Sequence, residues 1–150
     1  MEVTIVSGAV PTVAITSPAG ATSYTAGDII TIDVDADDAD GFVTSVGIFN
    51  GDVSLGTASK VSETKYRLDL QTSLANLGDL QLNARATDNS GNVSISTFVE
   101  AMVVIGQVPV VTIDSPGAAS IFNYGDAIPF EITASDLDGS ISLSLIHISE

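Results

Sequence analysis

The sequence predicts an all-β protein, built as a two-sheet antiparallel β-sandwich and organised as a tandem repeat of about 98 residues. Three observations lead to this prediction. The stretch at residues 10–18 recurs at residues 108–116. Apolar and polar residues alternate along the chain, as they do in half-buried strands. Asp-Gly and Asn-Gly dipeptides, which favour turns, separate the alternating segments.

The repeat predicts the domain organisation, because its offset of about 98 residues holds without a gap for about thirty positions. Residues 1–9 are expected to be the last strand of a preceding repeat, and residues 10–106 one complete domain. Residues 107–150 are expected to be the truncated start of a following repeat. Within them, residues 143–150 break the pattern and resemble translated sequencing-adapter read-through, and the alternative is a divergent strand.

Alternation also defines the strands of the complete unit in chain order, because successive side chains of a strand point to opposite faces. Asn50-Gly51 predicts a tight hairpin, since both residues tolerate a positive φ, and only residues 72–77 have room for a helical turn. About seven or eight short strands are the number expected for a two-sheet sandwich. The apolar strand positions are Ile30 to Ala36, Val46 and Ile48, Tyr66 to Leu70, Leu80 to Ala86, and Val93 with Ile95. The predicted core is Ile30, Ile32, Val34, Val46, Ile48, Leu68, Leu80, Leu82 and Ala84.

Composition excludes several classes of function. Nineteen acids against four bases give a net charge of −15, which opposes binding to the phosphate backbone of nucleic acids. The chain has no cysteine, so it has no disulfide, thiol nucleophile or cysteine-ligated zinc. The longest apolar run, residues 101–105, is too short to span a membrane.

Several motifs of the complete unit occur together in one known family. They are Pro11-Thr12-Val13-x-Ile15-Thr16-Ser17-Pro18, Gly27-Asp28, Ala36-x-Asp38-x-Asp40-Gly41, Val46-x-Ile48-Phe49-Asn50-Gly51, Leu55-Gly56-Thr57 and Leu82-x-Ala84-Arg85-Ala86-Thr87-Asp88-Asn89-x-Gly91. With these motifs the unit resembles the bacterial immunoglobulin-like (Ig-like) repeats of surface adhesins and secreted proteins. It departs from antibody domains, because it has no cysteine or tryptophan for their core.

The resemblance implies an Ig-like sandwich that is extracellular or on the bacterial cell surface, with neighbouring Ig-like repeats of the same chain as its partners. The expected function is a noncatalytic spacer or stalk repeat of a bacterial cell-surface adhesin. The alternative is an accessory Ig-like module of a secreted polysaccharide-degrading enzyme. Addition of a partner strand at an open sheet edge is a third possibility, which the acidic surface disfavours.

The chemistry-bearing residues do not suggest an enzyme. His147 is the only histidine and lies in the suspect tail, so no triad is expected, and no small-molecule substrate either. The acids fall on outward strand positions and in loops, without an apolar pocket that would raise the pKa of one of them. Sugar binding is disfavoured, because the complete unit has no tryptophan and few aromatic rings for stacking.

One acidic cluster suggests a metal site. Asp38 and Asp40 follow one predicted strand, and Asp88 follows another, in loops that share one pole of an Ig-like sandwich. Hard oxygen donors from two loops suit calcium, so the sequence predicts a Ca²⁺ site at Asp38, Asp40 and Asp88, completed by carbonyl groups around residues 7–10. The second copy keeps Asp38, Asp40 and Gly41 as Asp136, Asp138 and Gly139. The alternative interpretation is a set of solvated turns, because Asp-Gly favours turns without any ligand.

Overall fold

The computed structural model describes residues 8–141, which fall into two compact units that divide between Ile105 and Gly106. Two predictions concern residues outside this range: the calcium-binding carbonyl of Ser7, and the read-through assigned to Leu143–Glu150. The strands of the first unit are β1 (Thr12–Ser17), β2 (Thr22–Thr25), β3 (Ile29–Asp37), β4 (Val43–Asn50), β5 (Val53–Thr57), β6 (Ser59–Lys60), β7 (Lys65–Gln71), β8 (Gly78–Asp88), β9 (Val93–Ile95) and β10 (Val99–Val104). One turn of 3-10 helix, Leu74–Asn76, lies within the segment predicted to hold a helical turn.

The strands form two sheets, which confirms the all-β sandwich. One sheet has the order β1-β3-β7-β6, and the other has the order β2-β10-β8-β4-β5 with β9 also paired to β8. The inward side chains of both sheets make one apolar core. Alternation therefore acts as predicted, with β3 burying every second residue from Ile30 to Ala36.

The predicted core is confirmed at every position except Leu68, which is only half-buried. Its strand β7 lies between β3 and the two-residue β6, close to the edge of its sheet. The side chain still packs against the core and lies beside Gly56 of β5, where an added Cβ would meet it at 3.4 Å. A short edge strand therefore leaves this position less covered than the alternation alone predicts.

One strand pair departs from the predicted antiparallel arrangement, because β2 pairs with β10 in parallel. The chain leaves the first sheet after β1 and joins the second sheet at β2, next to the last strand of the unit. Positive φ values at Gly20 and Ala21 lie within this crossing.

The predicted hairpin is present, shifted by one residue. Asn50 pairs with Val53, so the two-residue loop is Gly51-Asp52 rather than Asn50-Gly51. Gly51 adopts the positive φ of 57° that the tight turn requires. The Asn50 side chain instead accepts a hydrogen bond from the Gln81 amide at 2.8 Å and joins the hairpin to β8.

In the second unit, β11 (Val110–Ser115) pairs with β12 (Glu131–Ser135) in an antiparallel ladder. Its register, with Val110 opposite Ser135, matches that of Thr12 opposite Asp37 in the β1–β3 pair at the same sequence offset. This agreement supports the tandem-repeat interpretation. The repeat itself and the boundaries at 9/10 and 106/107 stay predictions.

Within residues 8–141, no helix is long and apolar enough to cross a membrane.

Candidate functional site

Three segments of the first unit meet at one end of its sandwich, called here the N-terminal pole. It comprises Gly8 and Ala9, the β3–β4 loop at residues 38–42, and residues 88–92, which are the last residue of β8 and the β8–β9 loop. The Ala9 amide donates a hydrogen bond to Asp40 Oδ2 at 2.9 Å. The Asn92 side chain donates to the Ala9 carbonyl at 3.2 Å. The two loops and the leading segment therefore converge as the sequence predicts.

The two loops are joined to each other through Asn89. The side-chain oxygen of Asn89 accepts a hydrogen bond from the backbone amide of Phe42 at 2.9 Å, and the backbone amide of Asn89 donates to the Phe42 carbonyl at 3.1 Å. Thr44 adds a hydroxyl that donates to the carbonyls of Thr87 and Asp88. These contacts hold the β3–β4 loop against the start of the β8–β9 loop.

Asp38 is one of two buried carboxylates at the N-terminal pole, the other being Asp88. Asp38 is 8% exposed, and its Oδ1 has no hydrogen-bond partner among the described residues. Burial raises the pKa of Asp38, and the negative charges of Asp40 and Asp88 raise it further, while a hydrogen bond from the Asp40 backbone opposes the rise without cancelling it. An anion in this position is therefore opposed both by the loss of water and by its neighbours.

Gly41 leaves room for oxygen atoms from both loops. A Cβ added at Gly41 would lie 2.8 Å from Asp38 Oδ2 and would overlap Asn89 Oδ1. These two oxygens therefore face the same small space from opposite loops. Glycine is needed here because of the close approach rather than because of a turn conformation.

Asp88 differs from Asp38 because its carboxylate is fully engaged within its own loop. Oδ1 accepts from the amides of Ser90 and Asn92 at 2.7 and 2.8 Å, and Oδ2 accepts from the Asn92 side chain at 2.8 Å. Burial alone would raise the pKa of Asp88, but hydrogen bonds from Asn92, Ser90 and Gly91 hold it below the ordinary value. Asp88 is therefore a stabilised anion that organises the loop.

Asp40 is the exposed carboxylate of the pole. Besides accepting from Ala9, it lies beside the backbone of Gly8, where a Cβ would meet Asp40 Oδ2 at 3.2 Å and Ser90 Oγ at 3.3 Å. Asp40 thus binds the leading segment directly. Among residues 8–141, no three side chains of Asp, Glu or His are grouped so that they alone could hold a metal ion.

The second unit contains the matching half of this arrangement. The Gln107 amide donates to Asp138 at 2.8 and 3.1 Å, as Ala9 does to Asp40. Asp136 Oδ2 lies 2.8 Å from the position of a Cβ on Gly139. Each unit therefore holds its own leading segment with the second aspartate of its Asp-x-Asp-Gly motif.

The acids of β3 serve a different purpose. Arg67 contacts Asp33 at 2.6 and 2.9 Å, and Lys65 contacts Asp35 at 2.6 and 2.8 Å, both across the β3–β7 ladder. Sequence reasoning treated these acids as solvated charges. The pairing depends on the β3–β7 register, which the sequence alone does not reveal. The sequence also places Asn89 and Asn92 in the loop of Asp88 as oxygen donors, and in the structure these two side chains join the segments of the pole.

The aromatic rings form no stacking platform in the described part of the first unit. Tyr66 is buried, and the Arg85 guanidinium covers Phe49 at 4.1 Å from the ring centre. Phe42 and Phe98 are exposed on separate loops. His147 lies outside the described residues.

Comparison with known proteins places the fold. Residues 11–77 match the family model described as a bacterial Ig domain. A search of curated protein sequences gives no significant match. Among solved structures, the CbhA fibronectin(III)-like modules of Clostridium thermocellum are similar, with a TM-score of 0.51, 22% identity, and coverage of 61% of this chain and 94% of that chain.

An endo-β-1,4-mannanase from Thermotoga petrophila is also similar, with a TM-score of 0.53 and 14% identity. The match covers 63% of this chain and only 20% of the mannanase chain. At these identities the two likenesses describe the fold and not the activity.

Proposed function

We propose that the first unit, whose residues 11–77 match the family model of a bacterial Ig domain, is a noncatalytic spacer repeat in the stalk of a bacterial cell-surface adhesin. The observation that carries the proposal is the N-terminal pole. The Asp40 side chain accepts a hydrogen bond from the Ala9 amide, and the Asn92 side chain donates one to the Ala9 carbonyl. A spacer needs the chain to leave one unit and join the next in a defined direction, and this contact supplies it.

Recurrence of the contact supports the proposal. The second unit binds its own leading residue, Gln107, through Asp138 in the same way. A residue pair that served one local turn would have no reason to recur with the segment that precedes the domain. The repeated contact is the behaviour expected of a linear array, in which each unit interacts mainly with its neighbours.

The acidic surface suits the same role. A net charge of −15 keeps a long array soluble and discourages strand-to-strand association between chains. Extracellular or cell-surface location follows from the proposal, because adhesin stalks act outside the cell.

The experiment compares chains of one, two, four and six copies of residues 8–105 joined by the native linker, using small-angle X-ray scattering. With β8 eleven residues long, each unit should lengthen the particle by roughly 35 Å. The maximum dimension should therefore rise linearly with copy number. A dimension that rises as for a flexible string, with the square root of copy number, would contradict the spacer role.

The alternative is an accessory module of a secreted polysaccharide-degrading enzyme, which the likeness to part of a mannanase chain favours. The flanking gene sequence separates the two. Further repeats on both sides support the stalk, whereas a catalytic domain within a few units supports the accessory module.

A further inference from the structure

We propose that the N-terminal pole binds a calcium ion through the carboxylates of Asp38 and Asp40, and that binding fastens the leading segment to the domain. The inference rests on the geometry of the pole, and it deepens the proposed function by naming what would control the junction between units. Asp88 is not proposed as a calcium ligand, because donors of its own loop already make three hydrogen bonds to its two carboxylate oxygens.

The first observation is the buried Asp38 oxygen without a partner. Asp38 is 8% exposed, and Oδ1 lacks any hydrogen-bond donor among the described residues. A buried carboxylate oxygen without a donor is strongly unfavourable unless a cation or a proton compensates it. The described part of the chain brings no lysine or arginine to Asp38, since Lys65, Arg67 and Arg85 are paired with other acids and Lys60 lies over the ring of Tyr66.

The second observation is the kind of atom that surrounds Asp38. The space beside Gly41 is bordered by Asp38 Oδ2 and Asn89 Oδ1. Asp40 and Asp88 both face Asp38 closely enough to oppose its ionisation. These are carboxylate and amide oxygens, which are the ligands that calcium takes at six to eight positions in flexible geometry. Because two carboxylates form an incomplete cage, water and backbone carbonyl groups must supply the remaining ligands.

Coupling to the leading segment follows from Asp40. The same carboxylate that would bind the ion accepts the Ala9 amide at 2.9 Å through Oδ2. An ion held by Asp38 and Asp40 would fix the Asp40 side chain and, with it, the hydrogen bond to Ala9. Calcium would thereby reduce the freedom of the chain where it joins the domain.

The test uses the 150-residue chain and follows thermal unfolding by circular dichroism in chelator, in 10 mM CaCl₂ and in 10 mM MgCl₂ at equal ionic strength. Extracellular calcium modules bind with dissociation constants of about 0.1–1 mM. A site of this kind should therefore raise the melting temperature by roughly 5–20 °C in CaCl₂. Magnesium should do much less, because it requires near-ideal octahedral geometry and retains its water.

Variants locate the site. Asp38→Asn should remove the calcium effect and should melt at or above the wild-type temperature in chelator, because the amide carries no charge opposite Asp40 and Asp88. Asp40→Asn can still accept the Ala9 amide and should lose most of the effect, which keeps the test valid should Asp38→Asn fail to fold. The control is Asp79→Asn, which removes one exposed charge near the start of β8, whereas Asp88 lies at the end of that strand. This variant should keep the full rise in melting temperature with calcium.

A calcium-dependent rise confined to chains that retain both carboxylates supports the site. The absence of a rise in the wild type overturns it. An equal rise in the Asp38→Asn and Asp40→Asn variants, or with magnesium, also overturns it and indicates general screening of the net negative charge. None of these results bears on the linear growth of the array, so the spacer role and the calcium site can fail separately.

Discussion

Asp38 and Asp88 lie in neighbouring loops and are both buried, yet their surroundings shift their pKa values in opposite directions. Asp88 accepts backbone and side-chain donors from its own loop, whereas one oxygen of Asp38 has no partner among the described residues. The difference lies in local hydrogen bonding rather than in burial. Asp88 therefore maintains the loop, and Asp38 is the residue with unused binding capacity.

Gly41 provides a prediction at the residue scale. A Cβ at this position would overlap Asn89 Oδ1, the oxygen that accepts the Phe42 amide. Gly41→Ala should therefore lower the free energy of unfolding by about 1–3 kcal/mol, as is typical of overpacking. Urea denaturation measures the change.

The double variant identifies the cause. If the collision with Asn89 is responsible, Gly41→Ala should cost clearly less in an Asn89→Ala background than in the wild type. Equal losses in both backgrounds would show that Asn89 is not what excludes alanine, and would point to Asp38 Oδ2, which lies 2.8 Å from the added Cβ, or to the Gly41 backbone.

At the scale of elements, β3 and β7 are joined by side chains as well as by their ladder. Asp33 pairs with Arg67 and Asp35 with Lys65, on the outward face where β3 is only half-buried. Thr31 donates to Asp69 at 2.8 Å in the same row. Cross-strand pairs of opposite charge stabilise an antiparallel ladder modestly.

The Asp33–Arg67 pair predicts a dependence on pH. The hydrogen bond from Arg67, with its positive charge, lowers the pKa of Asp33 below the reference of 3.8, although burial opposes this. A lowered folded-state pKa stabilises the fold above the unfolded value, and the contribution is lost as pH falls through the folded value. Arg67→Met should therefore be slightly less stable than wild type at pH 7 and nearly equal to it near pH 2.

The comparison is made from urea midpoints at both pH values, at low and high salt. High salt should shrink the difference at pH 7, because the pair is partly exposed. Lys60→Met is the control, since Lys60 forms no ion pair within residues 8–141. A difference at pH 7 that persists unchanged near pH 2 would indicate lost packing of the arginine stem rather than lost charge.

At the scale of the whole molecule, the two units differ in how far their apolar residues are covered. Ile30, Ile32 and Val34 are at most 1% exposed in the first unit. Their counterparts in the second unit, Ile128, Phe130 and Ile132, are 40–59% exposed. An isolated pair of strands is marginally stable at best, because it has no second sheet to cover its apolar face.

This contrast predicts the behaviour of fragments. Residues 8–105 alone should unfold cooperatively, at a melting temperature close to that of the main transition of the 150-residue chain, because the first unit contains its complete core. Residues 106–150 alone should show no cooperative transition. Circular dichroism melts measure both. A cooperative melt of the full chain together with a non-cooperative fragment 8–105 would mean that the division between units is misplaced.

Local sequence accounts for much of this fold. The alternation at residues 30–36 and 80–86 predicts the two central buried strands, because the period of two is a property of any extended chain. Turn dipeptides predict where strands end, since Gly51 is needed for its positive φ wherever the turn occurs. The convergence of the loops at Asp38 and Asp88 also followed from the fold class alone.

Other features depend on contacts between distant residues, so only the tertiary structure decides them. The parallel β2–β10 pair requires knowing which sheet the chain joins after β1, and the partners of Asp33 and Asp35 require the β3–β7 register. The unequal environments of Asp38, Asp40 and Asp88 depend on donors in another loop and in the leading segment. Side-chain period and turn chemistry act within a few residues of chain, whereas burial and hydrogen-bond partners are set by segments that meet only after folding.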